Sequence, residues 1–198
     1  MSSSARPASK EPEPETQNIS SEDWENLSSQ AKLKSIEGDS KWGWVVYRCS
    51  YAKEWGPAWE KVKRSIIEDL RQEIAESDTP SIADTMEFIF IEDPSLEGAS
   101  TEQLQHRFQA WAEAHPDYVY YEGSRSRATR FNFFLKADAE LMRRGDVGLV
   151  QGWPIEPGEE DWIRIDDGDV STDLYVELGN PEMWYIYYTE PSGYAHIH

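Results

Sequence analysis

The chain of 198 residues holds one cysteine, Cys49, which excludes an intrachain disulfide. A reducing compartment suits that count. No apolar run reaches membrane-spanning length. The first residues, MSSSARPASKEPEPETQ, lack the apolar core of a secretory signal. These absences together predict a cytoplasmic or nuclear protein. Positive charge is scarce too: 19 Lys and Arg stand against 38 Asp and Glu, a net charge of −19. Such a chain cannot unaided displace counterions from a nucleic-acid backbone, and an anionic membrane surface repels it. Neither nucleic acid nor membrane is therefore expected as a partner, whereas a basic protein is. Mimicry of a nucleic acid is a weaker reading, because nothing shows the acids spaced like phosphates. There is no P-loop, Rossmann glycine pattern, G-x-S-x-G or H-E-x-x-H, and no cofactor is expected.

Aromatic residues are plentiful. Nine Trp and ten Tyr can build a core although hydrophobic residues make up only 38% of the chain. Residues 1–19 are Ser, Pro, Lys and Glu with almost no apolar side chain, a composition that predicts a disordered tail. Residues 20–41 read as one short helix and a linker, with Ser20 or Ser21 as N-cap and Trp24, Leu27 and Ala31 on one face. That helix either docks on the domain or binds a partner.

A single α+β domain is expected over residues 42–198. Trp44–Cys49 reads as a first strand. Trp59, Val62, Ile66, Leu70 and Ile74 recur at helical spacing behind Pro57. Met86–Ile91 is a second strand. Thr101 to about His115 is a helix with Ser100 and Gln103 as a capping box. Tyr118–Tyr121, Phe131–Lys136 and Val147–Trp153 are further strands, with a short helix over Ala137–Arg144 ended by Gly145. Glu156–Glu177 holds nine acids against one base, Arg164, and predicts a mostly exposed connection. DLYVEL and MWYIYY read as a closing pair of strands. Apart from the inserted helix, this order is that of the ferredoxin-like split βαβ fold, with extra C-terminal strands.

The run Trp42-Gly43-Trp44-Val45-Val46-Tyr47-Arg48, the pair Glu92-Asp93, the stretch Leu96-Glu97-Gly98-Ala99-Ser100 and the set Arg107-Phe108 with Trp111 resemble a family of small fungal proteins. Members start with a similar W-G-aromatic-V-aliphatic-Y-R strand. The resemblance covers roughly residues 42–153. It implies a fungal source and supplies no catalytic residue.

Strand alternation gives one candidate ligand site. Val45, Tyr47, Phe131, Phe133 and Leu135 form an apolar set suited to a helix-covered face. Trp44, Arg48, Asn132 and Phe134, with Gln151, are left for the opposite face. An arginine among aromatics and amides there would either bind a planar or carboxylated small ligand, or serve a structural ion pair or a homodimer contact. Arg125, Arg127 and Arg130 make a basic cluster that grips an anion or pairs with the acidic Glu156–Glu177 segment. His106 and His115 lie on different helix faces, and His196-x-His198 is a weak metal signal, so no metal site is expected. DDGDVSTD fails the EF-hand spacing and reads as a solvated turn. Cys49 falls on the core face and is expected to be inert. The residues thus point to a non-catalytic interaction protein; the alternative is a cofactor-independent enzyme or small-ligand binder centred on Arg48.

Overall fold

In a computed structural model, residues 20–118, 128–153 and 162–188 are described. The tail 1–19, most of the expected strand at Tyr118–Tyr121, Arg125, Arg127, His196 and His198 lie outside them. The expected first helix is two: α1 (Ser21–Glu25) and α2 (Ser29–Glu37). The break is chemical, because the Ser28 hydroxyl accepts from the Ala31 N–H and starts a second helix. Gly38, at φ 60°, ends it.

Then follow β1 (Val45–Arg48), α3 (Gly56–Ala75), β2 (Ile89–Ile91), α4 (Thr101–Ala114), β3 (Phe133–Ala137), α5 (Ala139–Arg144), β4 (Asp146–Gln151), β5 (Trp162–Asp166), α6 (Thr172–Glu177) and α7 (Pro181–Tyr187). The Ser100–Gln103 capping box forms as expected. Gly145 closes α5 at φ 85°.

The strands make one sheet in the order β2-β1-β3-β4-β5. β1 runs parallel to both β2 and β3, while β4 and β5 continue antiparallel. The mixed α and β class holds, but the ferredoxin-like split βαβ order does not. β2 leaves β1 on one side and β3 returns on the other. Two crossovers of the same hand running in opposite directions place their helices on opposite faces. Accordingly α3 covers one face, where Trp59, Val62, Ile66, Leu70 and Ile74 pack with Trp44, Val46, Phe133, Leu135, Leu149 and Ile163. α4 covers the other, where Leu104 and Phe108 pack with Val45, Tyr47, Phe134 and Val150.

This corrects the face assignment. Trp44 and Val46 lie under the long helix α3, and Val45 and Tyr47 lie under α4. The signal was in the sequence: Phe88 to Ile91 is apolar on both sides, the mark of a strand covered on both faces. Phe108 packs on Phe134 at 4.9 Å, so α4 meets the sheet and not the long helix.

The C-terminal region departs furthest from expectation. DLYVEL and MWYIYY are α6 and α7, not strands. Ser171 and Asn180 cap them, and Pro181 sits in the first turn of α7. β5 places Ile163, Arg164 and Ile165 in the interior, so that part of the acidic stretch is a buried sheet strand. Gly43, at φ 126°, is tightly held: a Cβ there would stand 2.3 Å from the Glu87 carbonyl oxygen. That close approach joins the segment leading into β1 to the segment leading into β2.

Candidate functional site

The five residues expected to line one site do not converge. Trp44 is buried on the α3 side, with its ring edge-on to Tyr175 at 5.4 Å. Phe134 is buried on the α4 side. Asn132 follows a tight turn and donates to the Ala128 carbonyl. Gln151 ends β4, and its carbonyl accepts from the Gln105 side chain.

Arg48 closes β1 on the α3 side. Its Nε donates to the Ser50 carbonyl at 2.8 Å, and its guanidinium lies 4.7 Å from the Tyr51 ring and 5.9 Å from the Trp59 ring. Glu92, at the end of β2, stands 3.5 Å from Nη1 and 2.9 Å from the Lys63 ammonium. The Lys63 ammonium holds the Glu92 carboxyl below its usual range, although partial burial pulls the other way. Arg48 thus stitches the ends of two parallel strands to α3. Of the roles read from the sequence, the structural ion pair describes this geometry.

Cys49 is buried beneath α4, and that burial pushes its thiol up to about 12. His106 is exposed and His115 lies beside Trp111 and Phe131. Among the described residues, no group of three His, Cys, Asp or Glu side chains could hold a metal ion. No described helix is long and apolar enough to cross a membrane.

The feature that sequence reasoning missed is a groove of about 600 Å³ between the α1–α2 pair and the α6–α7 pair. Trp24, Ile36, Val176 and Met183 give it apolar walls. Glu25, Glu37 and Glu177 line it against one base, Lys32. Among the described residues, the most exposed large apolar side chains belong to the same two helix pairs: Ile36 at 45%, and Tyr185 and Ile186 of α7 at 61% and 69%. Reading α6 and α7 as strands hid the groove, since it exists only when both are helices.

Its floor is polar and ordered. The Tyr175 hydroxyl donates to the Glu37 carboxylate at 3.1 Å and accepts from the Arg130 backbone N–H at 3.3 Å. Thr129 donates to the Tyr175 carbonyl at 2.8 Å. Burial raises the Glu37 carboxyl above its ordinary value, opposed by the Tyr175 hydrogen bond and by the charge of Arg130. The Arg130 guanidinium is itself buried and pairs with Glu87 at 2.9 Å. That partner lies outside the acidic segment expected for it. What the groove can do chemically is bury an apolar side chain while placing carboxylates beside a cation.

Comparison with protein-family models, with curated proteins and with solved structures finds no significant match to this chain.

Proposed function

We propose that the protein is a non-catalytic interaction module that takes a basic, apolar segment of a partner protein into the groove between α1–α2 and α6–α7. One observation carries the reading: a groove of about 600 Å³ with apolar walls and three carboxylates against one ammonium, on a chain of net charge −19. Apolar burial supplies the affinity of such a contact. The acidic rim selects the partner's sign and speeds encounter. A small-ligand site at Arg48 draws no comparable support, because that guanidinium is occupied by Ser50, Glu92 and two rings.

On this reading the likeness to the small fungal proteins is one of scaffold. Trp42, Trp44 and Tyr47 are buried, Ser100 caps α4, and Arg107 pairs with Asp93 at 2.7 Å. Each of these residues builds the fold, and none lines the groove. A cytoplasmic or nuclear setting goes with the proposal, since it keeps the lone buried Cys49 reduced.

Calorimetric titration with peptides that alternate lysine with leucine or tryptophan tests the proposal. Such peptides should bind, with affinity falling as salt rises. Ile36→Asp and Met183→Asp should weaken binding at least about tenfold, a loss of about 1.4 kcal/mol. Equal binding of glutamate-containing counterparts, or of the wild type and both variants, would overturn it.

A further inference from the structure

A second surface, independent of the groove, lies at the open edge of the sheet. β2 is the first strand in the order, and among the described residues only β1 pairs with it. The Glu87 and Ile89 N–H groups donate to the Trp42 and Trp44 carbonyls. Strand alternation then turns the N–H and C=O of Phe88 and Phe90 outward. Edges of soluble sheets are commonly blunted by lysine, proline or a bulge. This one reads Met86-Glu87-Phe88-Ile89-Phe90-Ile91, with every residue half-buried. Its only charge, Glu87, is engaged by Arg130.

We propose that this edge pairs with the same edge of a second copy of the chain, antiparallel about a two-fold axis, to join two five-stranded sheets. Charge selects the occupant. The acids around β2 are each matched by a base: Glu87 by Arg130 at 2.9 Å, Glu92 by Lys63 at 2.9 Å, and Asp93 by Arg107 at 2.7 Å. A basic partner segment would find those carboxylates already taken. Two copies, which repel wherever acidic surface faces acidic surface, meet here without that penalty.

The geometry is self-complementary, as a two-fold interface must be. With Ile89 on the axis, Phe88 of one copy stands opposite Phe90 of the other, and both residues carry outward hydrogen-bonding groups. The Phe88 and Phe90 rings already stack within one copy, 6.0 Å apart and 19° from parallel. Pairing would extend that stack across the interface, and aromatic cross-strand pairs stabilise antiparallel strands. On the α4 side a groove of about 390 Å³, lined by Ile91, Tyr47 and Trp111 among others, borders the same edge.

Sedimentation velocity on the full chain over a wide concentration range tests this pairing. The wild type should pass from monomer to dimer as concentration rises. Phe88→Lys should remain monomeric with an unchanged far-UV circular dichroism spectrum. Because that variant could misfold, hydrogen exchange of the wild type gives a second reading. The Phe88 and Phe90 amides should gain protection with concentration, while the Ile89 amide, bonded within the chain, should not change. A monomer at every concentration would overturn the proposal. So would a dimer that survives Phe88→Lys with unaltered exchange at those amides, or amides protected to the same degree in the monomer.

Discussion

At the residue scale, Glu37 shows how burial and charge pull against each other. Its carboxyl faces the groove, yet desolvation raises it above its usual value. The folded state therefore holds the Glu37 proton more tightly than the unfolded state does. The contribution of Glu37 to stability is greatest below the ordinary carboxylate range and declines as pH rises through the raised folded value. Glu37→Gln keeps an acceptor for the Tyr175 hydroxyl and removes the charge. The variant and the wild type should unfold at similar urea midpoints below about pH 4. Towards neutral pH the variant should become the more stable of the two, with a flatter profile. A wild type that gains on the variant as pH rises would show that Tyr175 and Arg130 outweigh desolvation. Arg48 carries the complementary lesson. An arginine in an aromatic strand was visible in the sequence as an anomaly, but its partner Glu92, and the Lys63 that shares that carboxylate, come from separate elements.

At the element scale, the well-patterned helices were legible and the short ones were not. α4 announced itself through Ser100, Gln103 and apolar residues at helical spacing, and the structure shows both halves of the capping box. Phe108 is fully buried against Phe134, with the backbone of Gly152 so close that a Cβ there would reach within 2.3 Å of its ring. Phe108→Ala should cost about 3–5 kcal/mol in urea unfolding, and Ser100→Ala about 1 kcal/mol. Trp111 is only half-buried, so Trp111→Ala should cost less than Phe108→Ala. A smaller loss at Phe108 than at Trp111 would refute this placement of α4. α6 and α7 fall on the other side. Six and seven residues are too few for a clear helical period, and Tyr, Val, Ile and Trp favour strands. Isolated helices of that length do not hold in water. Here Leu174, Leu178 and Trp184 are buried in the main core, and that burial decides the matter.

At the scale of the whole molecule, charge and topology set behaviour. A net charge of −19 on a chain of 198 residues is a standing self-repulsion. Added sodium chloride should therefore raise the thermal midpoint between low and physiological ionic strength, as scanning calorimetry would show. A midpoint that falls would mean that pairs such as Arg130–Glu87 and Lys63–Glu92 outweigh the repulsion. By itself the sequence determined the acidity, the absence of a disulfide, the α+β class, the amphipathic α3 and the capped α4. Each of these is local or compositional, written in residues a few positions apart. Only the tertiary structure decided the order β2-β1-β3-β4-β5, the coverage of both faces and the scattering of Trp44, Arg48, Asn132, Phe134 and Gln151. Alternation says which side chains share a face but not which helix will cover it. That choice depends on pairings between residues far apart in the chain, such as Val46 with Leu135. The groove and the β2 edge, which among the described residues only β1 pairs, belong to that second kind of information, because each is a relation between elements and not a property of any one of them.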